Sequence, residues 1–149
     1  MFKKKPKKIL IMGLPGAGKT FLAKEIFKEL NAIWLNGDKI RNKFKDWDFT
    51  KEGRIRQAKR MKDLSDNYLS QGKNVVADFI CPTPKTREDF NADFVIWMDT
   101  VKSCKFEDTN VMFVPPDNYD FRVTSKNASE WSKKITGKLI NKQEEKEVS

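Results

Sequence analysis

A three-layer α/β sandwich is the fold this sequence predicts, with a central parallel sheet of five strands and helices on both faces. Three observations point there. Short apolar runs of strand length alternate with longer stretches whose apolar residues recur at helical spacing. A glycine-rich turn joins the first such run to the first helical stretch. The polar residues Asn36, Asp38, Asp78 and Asp99 fall at or just beyond the carboxyl ends of the apolar runs, where ligands gather in open parallel sheets.

In order along the chain, 8–12 (Lys-Ile-Leu-Ile-Met) reads as a buried strand and 21–30 as the first helix. The run 32–35 is the second strand; Asn36-Gly37-Asp38 ends it and a short helix follows over 39–44. Ile55, Ala58, Met61, Leu64, Tyr68 and Leu69 give 54–70 a helical period that stops at Gly72. The stretch 74–80 is the third strand, 85–90 a short helix after a Pro-rich loop, and 94–98 the fourth strand. The segment 101–118 reads as irregular, stiffened by Pro115-Pro116. The last strand is 120–124 and the last helix 127–139, with Asn127 as N-cap and Glu130 three residues on.

At 149 residues the chain is expected to form one domain, with a basic tail over 1–7 and a mixed-charge end over 141–149 that frays. No apolar run is long enough to span a bilayer, so a soluble cytoplasmic protein is expected, with no membrane partner. Cys81 and Cys104 fit no metal spacing and are expected reduced. The chain has no histidine, so acid–base chemistry falls to carboxylates. The net charge of +9 is partly local: Lys3, Lys4, Lys5, Lys7 and Lys8 cluster at the start. Without interleaved aromatics there, a solvated tail is favoured over a nucleic-acid contact.

Gly13-Leu14-Pro15-Gly16-Ala17-Gly18-Lys19-Thr20 fits G-x-x-x-x-G-K-[ST] between a strand and a helix. Glycines let backbone N–H groups approach phosphate oxygens, and the helix N-terminus adds a positive dipole end. Lys19 is placed for the β- and γ-phosphates of ATP and the Thr20 hydroxyl for Mg²⁺. This makes the sandwich P-loop kinase-like. No guanine-reading Asn/Thr-Lys-x-Asp motif is present, and no oligomerisation domain of a motor.

Beyond the loop, Asn36-Gly37-Asp38-Lys39-Ile40-Arg41, Asp48-Phe49-Thr50 with Arg54, and Phe79-Ile80-Cys81-Pro82 follow in order. Together with the loop, over about residues 8 to 124, they resemble the adenylylsulfate kinase family, especially its shortened phage-encoded members. The resemblance implies transfer of phosphate from MgATP to the ribose 3′-hydroxyl of adenylylsulfate, a step of sulfate assimilation. It implies that Arg41 holds the phosphosulfate, Phe49 stacks on adenine, and Arg54 makes a second substrate contact. Gln57 stands where the family has Asn. The backbone around Phe79, Ile80 and Cys81 lines the substrate pocket.

Three departures stand out. Asn36 replaces the first acid of the family's D-G-D, while Asp78 appears where a small or hydroxyl residue is usual. One of Asp38 and Asp78 then orients the acceptor hydroxyl and the other helps hold Mg²⁺ through water. The family's basic lid is largely absent, leaving Lys102 and Lys105, with Phe106 downstream. A shortened lid predicts slow turnover, ATP hydrolysis as a side reaction, or a different substrate. The third is Gln57 itself. The partner to expect is a small nucleotide, with nucleic acid less favoured and a homodimer left open. Two other readings stand beside this one: a kinase for another nucleotide or a 5′-hydroxyl nucleic acid, and a non-catalytic ATP-binding module.

Overall fold

The computed structural model describes residues 5–148, with side chains described as far as residue 140. Eleven elements follow one another: β1 Lys8–Met12, α1 Lys19–Glu29, β2 Ile33–Asn36, α2 Gly37–Phe44, α3 Lys51–Ser70, β3 Val75–Asp78, α4 Pro84–Phe90, β4 Phe94–Met98, α5 Glu107–Met112, β5 Phe121–Val123 and α6 Ala128–Val148. The strands form one sheet in the order β2-β3-β1-β4-β5. Every pairing is parallel.

Alternation along β1 sends its side chains to two different cores. Ile9 and Ile11 join Leu22 and Ile26 of α1 and Ile135 of α6 on one face. Leu10 and Met12 join Ala58 and Met61 of α3 and Phe90 of α4 on the other. Helix α1 packs on α6, and α3 on α4, which gives the three layers. Val75, Val76 and Ala77 of β3 are wholly buried, as a central parallel strand requires. Each valine so taken from water contributes about 1.5–3 kcal/mol.

The structure corrects the sequence reading in several places. Lys8, the first residue of the expected strand and also one of the clustered cations, is buried with its charge rather than solvated. It opens β1 at 4% exposure, and its Nζ donates to Asp66 Oδ1 at 2.9 Å and to the Phe90 carbonyl at 2.5 Å. The rest of the expected tail falls partly on residues 1–4, outside the described residues. The segment expected to be irregular contains α5, whose Thr-Asn-Val run and lack of a side-chain cap hid it from periodicity. Helix α3 begins three residues early because Thr50 caps it, its hydroxyl accepting the Gly53 N–H at 3.1 Å. Helix α6 runs past Leu139 to Val148. Asn127 does cap its start, accepting the Glu130 N–H at 3.2 Å while its amide donates to the Glu130 carboxylate. Among the described residues both cysteines are free, and no helix is long and apolar enough to cross a membrane.

The consequence for chemistry lies at the carboxyl end of the sheet. There the ends of β2, β3, β4 and β5, together with the loop after β1 and the start of α1, open onto one cleft of about 540 Å³.

Candidate active site

The glycine loop leaves β1 at Met12 and enters α1 at Lys19, as its sequence predicts. Gly13 has φ +153°, and a Cβ there would come within 2.7 Å of the Met98 carbonyl oxygen. Only glycine lets the loop cross so close to β4. Two further contacts fix it: the Gly13 N–H donates to the Ile80 carbonyl at 3.3 Å, and the Thr100 hydroxyl to the Ala17 carbonyl at 2.6 Å. Lys19 folds back over the loop, its Nζ donating to the Gly13 and Leu14 carbonyls at 2.9 Å each. Burial lowers its pKa to about 8, against the opposing pull of Asp78 and Asp38. A phosphate at the loop would add negative charge beside the ammonium and raise that pKa again.

Strands β2 and β3 set the acidic part of the site. Their register places Asn36 directly opposite Asp78. Asn36 Nδ2 donates to both Asp78 oxygens, at 3.0 and 3.2 Å, and reaches Thr20 Oγ1 at 3.3 Å. Its Oδ1 meanwhile caps α2, accepting the Lys39 N–H at 3.0 Å. Trp34, two residues earlier and so on the same face of β2, donates its indole N–H to Asp78 Oδ2 at 2.6 Å. Asp78 is 2% exposed, and burial raises its pKa while the Trp34 and Asn36 donors pull the other way. Asp38, in the first turn of α2, is exposed at the cleft, and its carboxylate has no hydrogen-bond partner among the described residues. The two acids thus differ: Asp78 is fixed on both oxygens, Asp38 is open.

The other end of the cleft is basic and aromatic. Arg41 is 5% exposed; its Nη1 donates to the Asp46 and Asp48 carbonyls at 2.9 and 3.0 Å. Its guanidinium lies 4.3 Å from the Phe49 ring centre, and that of Arg54 lies 5.3 Å away. Arg54 Nε donates to the Phe49 carbonyl at 2.8 Å, and Nη2 to the Thr109 hydroxyl at 2.6 Å. Burial pulls both guanidiniums below their usual range, and Arg54 adds like-charge repulsion to Arg41. Two buried cations side by side favour an oxyanion between them.

Gly13 excepted, the predicted residues from Pro15 and Gly16 through Asn36, Asp38, Arg41, Phe49, Arg54, Gln57, Asp78, Phe79, Ile80 and Cys81 come to this one cleft. Ala17 lies beneath it, fully buried. Gln57 is committed: its amide donates to the Gly37 carbonyl at 3.0 Å and its Oε1 accepts from Arg60 at 2.9 Å. It ties α3 to α2 and keeps one N–H and one oxygen lone pair toward other partners at the cleft wall. The Phe79 ring packs edge-on against Phe90, 5.3 Å between centres, so Phe79 serves the core as well as the cleft. Burial pushes the Cys81 thiol up to about 12. Lys105 and Phe106 do not line the cleft; they lie exposed before α5, the ammonium over its neighbour's ring.

Sequence reasoning missed Trp34, Thr109, the exposed Phe21, and Ser125 and Lys126 of the loop after β5, the last three of which line the cleft. The spacing of two between Trp34 and Asn36 was a usable signal, since it puts both on one strand face. For Thr109 there was none, because α5 itself was not legible.

A family model described as an AAA domain matches residues 9–140, and the chain belongs to that family. It is 34% identical over 91 residues to an adenylate kinase isoenzyme 6 homolog from Drosophila melanogaster, covering 59% of this chain and 51% of that protein. The chain thus spans about half the length of this curated relative. Its fold resembles the Mycobacterium tuberculosis APS kinase CysC in complex with AMPPNP and APS, with TM-score 0.75 and 20% identity over 91% of this chain and 98% of that one. It also resembles a gluconokinase from Sinorhizobium meliloti 1021, with TM-score 0.67 and 14% identity over 95% and 96% of the two chains. The five-stranded parallel sheet is therefore of the P-loop kinase type.

Proposed function

We propose that this member of the AAA-domain family transfers the γ-phosphoryl group of ATP to a hydroxyl of a nucleotide-like acceptor, with the 3′-hydroxyl of adenylylsulfate as the leading candidate. One observation carries the reading. A single cleft is lined by a phosphate loop, two buried guanidiniums on an aromatic ring, and an open carboxylate, Asp38. The sequence resemblance supplies the identity of the acceptor, and the family and fold support a kinase.

The chain's residues divide the work. Loop amides and Lys19 hold the β- and γ-phosphates and offset charge that builds on their oxygens. Asp38 accepts the proton of the acceptor hydroxyl as its oxygen bonds to the γ-phosphorus and the bond to the β-phosphate oxygen breaks, releasing ADP. Arg41 and Arg54 hold the acceptor's anionic group, and Phe49 braces both. Asp78, fixed by Trp34 and Asn36, keeps a negative charge beside Lys19 and Thr20 without meeting the acceptor.

The donor set fits Mg²⁺. Thr20 offers a hydroxyl beside the loop, and Asp78 a carboxylate that would act through water because its oxygens are already engaged, which leaves Asp38 for the acceptor hydroxyl. Among the described residues no group of three or more acidic, histidine or cysteine side chains forms a metal cage, which suits an ion carried mainly by phosphates and water. Bound there, Mg²⁺ supplies charge neutralisation across the β- and γ-phosphates.

The test is product analysis with labelled ATP against adenylylsulfate, free nucleosides and 5′-hydroxyl oligonucleotides. Phosphorylation of adenylylsulfate at its 3′-hydroxyl is expected. Tight ATP binding with no phosphorylated product from any acceptor would overturn the reading in favour of an ATP-binding module.

A further inference from the structure

The acceptor end of the cleft does not stop at Phe49. The loop from the end of α2 to the start of α3 carries Phe44, Trp47 and Phe49, and the first two are half exposed, at 47% and 51%. Trp47 leans on Phe49 with ring centres 6.4 Å apart, so an aromatic path runs from the outer surface to the cleft wall. Lys43, Lys45 and Lys51 stand exposed along the same stretch.

The loop is pre-ordered. Arg56 grips Asp46 at 2.7 Å and Asp48 at 3.0 Å, and Arg60 grips Asp46 at 2.8 Å. Arg41 holds its backbone from beneath, and Lys45 takes a left-handed turn at φ 53°. Gly53 accepts the close approach, since a Cβ there would collide with the Asp48 carbonyl oxygen. Both loop acids are therefore matched by arginines that belong to α3, while the three lysines face solvent. Arg60 also lies 4.6 Å from the Phe44 ring centre and holds one aromatic in place.

Two exposed rings on one ordered segment, Phe44 held by Arg60 and Trp47 by Phe49, with exposed cations between and beside them in sequence, fit one class of partner. Rings stack on bases of any identity, and ammonium groups follow a phosphate backbone. We propose that Phe44 and Trp47, with Lys43, Lys45 and Lys51, form a stacking platform for single-stranded nucleic acid, which leads a strand into the acceptor end of the cleft. The proposal rests on the acceptor reading above and extends it from a free nucleotide to a nucleotide within a strand.

The test uses the full chain and a short 5′-hydroxyl oligothymidylate with a 3′-fluorophore, read by anisotropy without ATP. Saturable binding is expected to weaken steeply between about 50 and about 200 mM salt. Trp47→Ala with Phe44→Ala should weaken it about tenfold or more, and Trp47→Phe with Phe44 intact should recover most of the affinity. Removing the three lysines should flatten the log–log salt dependence by about 0.7 for each phosphate that is no longer neutralised. No saturable binding at the lower salt overturns the proposal. So does binding that the aromatic variants leave unchanged while their melting temperatures match the parent, since charge alone would then explain it.

Transfer of phosphate is assayed separately. Aromatic-dependent binding without phosphate incorporation supports the platform and counts against the kinase reading. Phosphorylation of adenylylsulfate with no oligonucleotide binding does the reverse.

Discussion

The two ends of the cleft are built differently. The donor end is backbone: loop amides, the α1 terminus, and carbonyls that hold Lys19 at 2.9 Å. The acceptor end is side chain on side chain: Arg41 and Arg54 on Phe49, with Thr109 reaching across from α5. A backbone site needs a fixed local spacing and little else. A side-chain site needs several elements, distant in sequence, to arrive together. On the proposed reading, the first binds what many proteins bind, and the second selects the acceptor.

Removing the cation at the donor end should have the largest effect. Lys19→Ala is expected to lower kcat/KM for ATP about 10³-fold, with the fold intact by circular dichroism. A loss below about tenfold would mean the donor end does not rely on its one side chain.

The seam between the ends is next. Asn36→Asp sets a second carboxylate about 3 Å from Asp78 and removes a donor to it. A stability loss of about 2–4 kcal/mol is expected in thermal melts. One acid of such a pair titrates higher folded than unfolded, so the folded state binds the extra proton. The deficit should therefore grow as pH rises and shrink toward low pH. The exchanged pair Asn36→Asp with Asp78→Asn keeps a single charge and should recover most of the loss.

A pH series sharpens the donor side alone. With Lys19 titrating at about 8 in the free protein, affinity for a triphosphate should be flat below that pH and fall as pH rises through it, by about tenfold per unit. Calorimetry should show proton uptake on binding near and above pH 8. A flat profile to pH 9.5 or so would place the lysine's titration elsewhere.

Two smaller changes probe the acceptor end. Phe49→Ala removes the ring that braces both guanidiniums. It should raise KM for the acceptor about tenfold and leave KM for ATP within about twofold. Equal changes in both would erase the distinction between the ends. Thr109→Val leaves an Arg54 donor unmet and should cost about 1 kcal/mol of stability, with about a threefold rise in acceptor KM.

What was legible in the sequence follows the same division. The loop from Gly13 to Thr20 could be read from spacing, since strand, turn and helix are local. The alternation of strands and helices was readable too, because each element carries its own period. Trp34 was not assigned to the site, because its partner Asp78 lies on a neighbouring strand and 44 positions along the chain. Lys8 opens the expected strand, but nothing local reveals that Asp66 and Phe90 close over its ammonium. Thr109 was hidden by a six-residue helix of weak formers. Gln57 does line the cleft, but its bonds to Gly37 and Arg60, which join α3 to α2, were not legible. In each case the missing fact was a tertiary partner.

The pairing of Asn36 with Asp78 also bears on how such a protein can change over generations. The two positions face each other across the sheet and act as one heritable unit. Moving the negative charge from one strand to its neighbour takes two substitutions, and a lineage must survive the step between. A double-acid step would put two like charges in a buried seam and cost the fold. A double-amide step removes the seam's one carboxylate and, on the proposed reading, gives up rate rather than stability. The second route is the passable one, so the charge can migrate between strands only through a slow ancestor, not an unstable one.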